Sequence, residues 1–334
     1  MEKDMLKKMS EYLTKVRTID EIKKDFDISE IEVMTIVHAL RNNGFNIVCD
    51  MKDSNLHIVN MKENNLDVST SQTIVVPKGK TFKVLVISDT RLCSKYQQLS
   101  ILNELYRIAD REGIDTVFHC GDISEGIYSS KNKYSDTVFR NDTNLQAEYI
   151  IENYPLVEGV KTLFITGNQD DTHLKTNGVN IGRLISEGRS DMIFLGNYGA
   201  VIKINASKTM LRHPTDKIPY TVSYKQQQFM NSIRSEDKVD VLLNGHYLQA
   251  ERLPYRDMYE FSIPSLVATT PFMSDNSLNN NVGAFILEYE FDEQGHSTWL
   301  CRVRYVLFSV TSISGQWPIS SLIYGYRQQP KGQF

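Results

Sequence analysis

The chain predicts an α/β fold, a mixed β-sandwich flanked by helices, preceded by a small domain of three helices and a β-hairpin. Two observations carry that expectation. From Phe82 onward, apolar strand-like runs alternate with helical segments and then give way to strands alone, the pattern of a sheet sandwich with helices outside it. Residues 1–62 instead show helical spacing first and strand alternation last.

In the first segment Met5, Leu6, Met9, Tyr12, Leu13 and Val16 recur at helical spacing. Thr18-Ile19-Asp20-Glu21 is a capping box that opens a second helix through Phe26. Ser29-Glu30-Ile31-Glu32 is another, starting a third helix with an apolar face of Ile31, Met34, Val37 and Leu40 that Asn43-Gly44 stops. Phe45–Cys49 and Leu56–Val59 alternate like a hairpin around Lys52-Asp53-Ser54-Asn55. The polar residues 63–80 read as a linker. Strands are then expected at Val84–Ile87, Thr116–His119, Thr162–Thr166, Met192–Leu195, Ala200–Ile204 and Val239–Leu243. Helices are expected at Tyr96–Arg111, Asn144–Tyr154, Ile181–Glu187 and Tyr224–Arg234, and further strands at Glu260–Ile263, Gly283–Phe291 and Thr298–Val310. This places the large domain at 81–312, and residues 313–334 are a Gly-, Gln- and Pro-bearing tail expected to wrap the surface or fray.

With 37 Lys+Arg against 41 Asp+Glu, a net charge of −4 sets up no global basic field for nucleic acid or membrane. Cys49, Cys93, Cys120 and Cys301 are scattered, which suits a reducing compartment and argues against structural zinc. No apolar run approaches transmembrane length and the N-terminus lacks a signal-like core, so a soluble cytoplasmic protein is expected.

Five motifs follow apolar strand-like runs: Ser88-Asp89-Thr90-Arg91, Gly121-Asp122, Gly167-Asn168-Gln169-Asp170, Leu211-Arg212-His213 and Gly245-His246-Tyr247-Leu248. Ligands at the carboxyl ends of strands are the usual arrangement in open α/β sheets. Asp, Asn and His in this sequence suit divalent cations. In order and spacing the motifs resemble the calcineurin-like metallophosphoesterases, whose pattern is D-x-H, G-D, G-N-H-D/E, a lone His and G-H-x-H. Asp171–Gly178 and Ala268–Met273 look like segments of a phage and mobile-element branch of that superfamily, in which a winged helix precedes the phosphoesterase domain. A phage-encoded chain would work in the host cytoplasm.

The resemblance implies that Asp122, Asn168, His213 and His246 form a complete shell for one metal. The other shell would hold Asp89, Arg91, Asp122 and Leu248, and two of these, Arg91 and Leu248, replace histidines. Gln169 stands where the leaving group's acid would be, and an amide is no general acid near neutral pH. At most one divalent cation (Mn, Fe or Zn) is therefore expected, or none. Arg91 is expected to lie against Asp89, Asp122 or both in place of the lost cation, since a guanidinium stays charged and binds carboxylates. Leu248 would fill the space of an unneeded imidazole.

Of the remaining histidines, His119 is expected to pack or cap a backbone carbonyl and His173 to order its loop. His38, His57 and His296 read as ordinary surface or core residues, and Tyr247 as either packed or facing a groove. Three functions follow. One is a pseudo-phosphoesterase that binds nucleic acid or a protein partner; another is a single-metal phosphodiesterase or nuclease. The last is a winged-helix regulator or structural component with a scaffold domain. Three helices and a hairpin do resemble a winged helix-turn-helix, but Glu30 and Glu32 lead its third helix, where a groove reader places basic or amide side chains. Docking of a protein, a second copy or the large domain is the expectation there.

Overall fold

The computed structural model describes residues 3–42, 47–52, 55–60, 70–77, 81–218, 222–292, 297–308 and 321–327. Asn43-Gly44, the expected helix stop, together with His296, residues 63–69 and residues 313–320, lies outside them. The chain divides into two compact units, Met1–Leu66 and Asp67–Phe334.

The first unit runs α1 (Lys3–Tyr12), β1 (Arg17–Thr18), α2 (Ile19–Phe26), α3 (Glu30–Asn42), β2 (Ile47–Lys52) and β3 (Asn55–Asn60). Its strands form an antiparallel sheet in the order β1-β3-β2. Both capping boxes form. Glu21 N donates to Thr18 Oγ1 at 3.2 Å and Thr18 N to Glu21 at 2.9 Å. Ser29 N donates to Glu32 at 2.8 Å and Glu32 N to Ser29 Oγ at 3.3 Å. The buried face of α3 differs from expectation. Val37 and Leu40 are buried, but Ile31 is 79% and Met34 38% exposed, and Val33 and Ile36 complete the core with Met9, Leu13 and Ile22. Two overlapping sets share the helical period, and only the partners on α1 and α2 select between them.

The second unit continues with β4 (Thr70–Ile74), β5 (Phe82–Ile87), α4 (Leu99–Arg111), β6 (Thr116–Cys120), α5 (Thr143–Asn153), β7 (Lys161–Thr166), α6 (Asp171–Asn177) and α7 (Ile181–Gly188). Then come β8 (Met192–Asn197), β9 (Gly199–Ile204), β10 (Ser207–Arg212), α8 (Val222–Ser232), β11 (Val241–Asn244), β12 (Glu251–Tyr255) and β13 (Met258–Ser262). The last are α9 (Pro271–Asp275), β14 (Val282–Phe291), β15 (Ser297–Phe308) and β16 (Ser321–Arg327). One sheet has the order β16-β15-β14-β5-β6-β7-β8 and the other β12-β13-β11-β10-β9-β4, each mixing parallel and antiparallel pairs. The expected mixed α/β sandwich flanked by helices is what these sheets build.

Strand alternation splits the core in two. Val84 and Val86 of β5, Phe118 of β6 and Ile165 of β7 face between the sheets and meet Ile202, Leu211, Leu243 and Phe261. Their neighbours Leu85, Ile87, Val117 and Phe164 face the other way, against Leu102 and Leu105 of α4, Ile150 of α5 and Ile185 of α7. Both chain segments expected to lack regular structure contribute strands. Thr70–Ile74, inside the expected linker, pairs in parallel with β9. Ser321–Arg327, inside the expected tail, pairs antiparallel with β15.

Candidate metal centre

Every motif residue sits just beyond a strand. Asp89 follows β5, Asp122 follows β6, Asn168 follows β7, His213 follows β10 and His246 follows β11. The turns that hold them use left-handed backbone at non-glycine residues: Asp89 (φ 50°), Arg91 (43°), Cys93 (75°), Asp122 (55°), His246 (73°) and Leu248 (63°). Each such residue costs about 1–3 kcal/mol, which only a surrounding that over-determines the turn can hold. Here that surrounding is backbone pairing between adjacent turns. Asp89 N bonds Gly121 O and Arg91 N bonds Asp122 O, both at 3.0 Å, and Leu92 N bonds Ile123 O at 2.7 Å. Asp170 adds side-chain clasps, accepting from Ser124 N at 2.8 Å, Gly167 N at 2.9 Å and Ile123 N at 3.1 Å. Burial, with Asp122 behind it, pushes the Asp170 carboxyl up to about 6.

The glycines of the motifs have one physical reason in common. A Cβ on Gly121, Gly167 or Gly245 would come within 2.6, 2.7 and 2.8 Å of a His213 ring nitrogen, closer than real Cβ atoms approach. These three backbones form the wall of the imidazole's slot.

In that slot His213 Nδ1 donates to Cys120 O at 2.7 Å, which aims Nε2 at Asn168 Oδ1 (3.1 Å) and Asp122 Oδ2 (3.4 Å). His246 Nε2 donates to Asp216 O at 2.7 Å, leaving Nδ1 as its free lone pair. The two rings lie 5.4 Å apart, edge to face. A ring nitrogen tied to a carbonyl, with its partner turned inward, is how proteins prepare imidazoles as metal ligands. Among the described residues, ligand atoms of Asp89, Asp122 and His213 lie within 4.8 Å of one another. Asp89 takes Ser88 Oγ at 2.6 Å and His246 N at 3.1 Å on the same oxygen.

The electrostatics fit a cation place held by a proton. Burial drives the His213 imidazole down, but Asp122, then Asp89, outweigh it and raise it to about 9. Burial pushes Asp122 up, and His213 and Arg91 more than reverse this. Asp89 is held above the usual carboxylate range by burial, with Asp122 adding to it and His213 opposing. Burial, then His213, lowers His246 to about 4, keeping it a neutral ligand. Oxygen and nitrogen donors on buried Asp89, Asp122 and His213 together fit a divalent cation, with Asn168 and His246 beside the His213 ring.

The other half of the site departs from expectation. Arg91 does not lie hydrogen-bonded to Asp89 or Asp122. Its Nε sits 2.9 Å from Glu125 Oε2, an ionic contact without good hydrogen-bond alignment, and its Nη2 donates to Glu125 Oε1 and Tyr128 Oη at 3.1 Å. Burial opposes the charge, but Glu125 outweighs it and Asp122 and Asp89 add to it, so the guanidinium stays protonated. Glu125 takes the direct bond because Asp89 and Asp122 are already committed, the first to Ser88 and His246 N, the second to His213 and the Gln169 amide at 2.8 Å. Leu248 is buried with Val267 and Met273, against Tyr96, Ile218 and Leu278. Gln169 is half-buried beside Asp122.

His119 is fully buried, the packed alternative of the expectation, and its Nδ1 accepts from Gly121 N at 3.2 Å while Nε2 lies 3.0 Å from Thr90 Oγ1. His173 lies on α6 and not on the loop expected, and bonds Ser124 and Thr143, each at 3.0 Å. Tyr247 is packed, with Oη donating to Asp216 at 3.2 Å. Motif reading passed over Glu125 and Asp216 and quoted Asp170 without giving it a role. The one signal for Glu125 was chemical: a buried Arg91 demands an acid. No described helix is long and apolar enough to cross a membrane.

No family profile matches the sequence. Among solved structures, the chain is similar to an archaeal phosphodiesterase at 14% identity, covering 68% of this chain and 99% of that one with a TM-score of 0.39. Zinc-complexed Vps29 from Entamoeba histolytica matches at 15% identity, over 73% and 99% of the two chains, with a TM-score of 0.38. A predicted phosphoesterase from Streptococcus pneumoniae matches at 12% identity, over 74% and 99%, with a TM-score of 0.35. None of these likenesses assigns the chain an activity.

Proposed function

We propose that the chain is a calcineurin-like phosphoesterase relative that has kept one cation place and lost two-metal hydrolysis, acting by binding a nucleic acid or a protein partner. The observation that carries this is the Arg91–Glu125 pair, a buried ion pair built where the second cation's ligand would stand. It is charge-balanced, so Arg91 does not leave a cation-shaped vacancy of charge. Leu248 closes the opposite side with apolar contacts. A divalent cation held by Asp122, Asn168, His213 and His246 would supply Lewis acidity toward a phosphoryl oxygen. The chain's own side chains supply no proton donor at Gln169, so leaving-group departure goes unassisted.

The test is the metal content of protein purified without chelator, paired with turnover of bis-p-nitrophenyl phosphate and of single-stranded DNA in Mn²⁺. One ion per chain and negligible turnover support the proposal. Two ions, or turnover at ordinary enzyme rates, would sink it. The tautomer-fixed imidazoles favour one second reading, a single-cation phosphodiesterase, which the same assay separates by its rate. For the first unit, the winged-helix reading rests on its element order, and the exposure of Ile31 and Met34 beside Glu30 and Glu32 favours a protein surface as its partner over DNA.

A further inference from the structure

The outer face of the six-stranded sheet holds a polar network that the cation place does not use. Leu211, Leu243 and Phe261 face the inter-sheet core, so Arg212, Asn244, Glu260 and Ser262 face the opposite side, under α8. Asn244, Glu260, Ser262 and Gln226 of α8 are all fully buried. Asn244 Nδ2 donates to Glu260 Oε1 at 2.8 Å, and Ser262 Oγ reaches the same oxygen at 3.2 Å. Gln226 Nε2 donates to Ser262 Oγ. Arg212 lies 3.9 Å over the Phe229 ring of α8, and its Nη1 donates to Asn244 Oδ1 at 3.3 Å.

Two oxygens in this network have no partner, Glu260 Oε2 and Gln226 Oε1. Both are acceptors one hydrogen bond away from the same Ser262 hydroxyl. Buried acceptors left unmet cost about 1–3 kcal/mol each. A single proton on Glu260 Oε2 removes the buried charge and turns one of these two unmet acceptors into a donor. The charged groups acting on Glu260 are Arg212 on β10, which favours ionisation, and Glu251 on β12, which opposes it; α8 and β11 present the amides Gln226 and Asn244. Burial dominates and pushes the Glu260 carboxyl up to about 8, against Asn244 and Ser262.

The network also touches the cation place from behind. Arg212 precedes His213 and Asn244 precedes Gly245-His246, so the two imidazole-bearing turns leave the sheet at residues that this network ties together. We propose that Glu260 is a protonated positioning residue that latches α8 to the sheet and steadies the His213 and His246 turns, and that its ionisation releases the latch. The functional part of this rests on His213 and His246 being the ligand pair; the latch itself does not.

The experiment uses the full chain without cation, as wild type and as Glu260→Gln, which keeps the shape and stays neutral. Infrared difference spectra between the two should contain a protonated-carboxyl band at about pH 7 that fades by about pH 9.5. Over the same interval, amide exchange corrected for its intrinsic rate should accelerate at least tenfold in 222–232 and 241–246 of wild type, while Glu260→Gln stays protected. Absence of the acid band at neutral pH overturns the proposal, and so does equal acceleration in both proteins. If the variant does not fold, the wild-type spectrum alone still decides against the proposal: no protonated-carboxyl band lost between about pH 7 and about pH 9.5 overturns it. Neither readout involves turnover or bound metal, so a failed phosphoesterase reading leaves them intact.

Discussion

Around His213, three glycine backbones leave no room for a Cβ, whereas around Arg91 and Leu248 the space is filled by side chains bonded to something other than a cation. The first region is built around His213: two imidazoles tied to carbonyls, with Asp122 and Asp89 favouring the proton on His213. The second is complete in itself, with Arg91 matched to Glu125 and Leu248 sealed among apolar neighbours. The difference teaches that two neighbouring parts of one site can each satisfy charge and volume locally. It also says how each half should respond to damage.

The largest effect should come from the self-contained half. Glu125→Ala leaves a buried guanidinium without its partner and should cost about 3–5 kcal/mol in urea unfolding. Replacing both Arg91 and Glu125 by Leu should cost far less than Glu125→Ala alone. If the double variant were the weaker of the two, the ion pair would be contributing net stability and the halves would not differ as described.

Next is the glycine wall. Gly167→Ala presses on Asp122 and His213 and should cost about 3 kcal/mol while abolishing Mn²⁺ binding. Gly113→Ala, where nothing lies within 4 Å but φ is +64°, should cost only about 1 kcal/mol of backbone strain and leave Mn²⁺ binding unchanged. Calorimetric titration of both separates crowding from strain.

A third experiment tries to convert one half into the other. Arg91→His, Gln169→His and Leu248→His together orphan the Glu125 carboxylate, so Glu125→Gln must accompany them. The fourfold variant should raise Mn²⁺-dependent diester turnover by about 100-fold or more, and single reversions should do almost nothing, because ligands and acid act as a unit. Equal activity in the triple and fourfold variants would show that Glu125 is not bound to Arg91 in the way its geometry indicates.

The smallest effect is a slope. In cation-free protein the His213 proton persists up to about pH 9, so a cation must displace it below that point. Mn²⁺ affinity should therefore rise by about tenfold per pH unit and flatten beyond that pH. Stability gives the complementary sign. A histidine raised in the folded state stabilises fully below its unfolded value and loses that contribution as pH climbs through about 9. Chelated protein should lose melting temperature over that window, and Mn²⁺-loaded protein should not. Parallel curves would exclude His213 as the ligand.

What the sequence could supply follows the same division. Asp89, Asp122, Asn168, His213 and His246 were legible as strand-end residues because each follows an apolar run, a local signal. Glu125 was not, since its role exists only once the turns after β5 and β6 pair and bury Arg91. The strand Thr70–Ile74 is polar and reads as a loop; it becomes regular only by pairing with β9, whose edge is far away in sequence. The face of α3 was ambiguous for a related reason, because Val33 and Ile31 belong to rival sets that helical spacing alone ranks equally. Arg91 and Leu248 stood out in the sequence against the resembled motifs, while the partners they meet in the structure, Glu125 and the cluster with Val267 and Met273, did not.

The strand Ser321–Arg327 has a consequence for how the protein behaves in bulk. It pairs with β15 along Arg302–Phe308 and so supplies the outermost strand of the seven-stranded sheet. Trimming the chain at residue 312, as a tail reading would suggest, would bare a row of unpaired amides and carbonyls on β15. An open edge of that length is a template for strands from other molecules. Ser321–Arg327 therefore shields the Arg302–Phe308 stretch of β15 from such pairing.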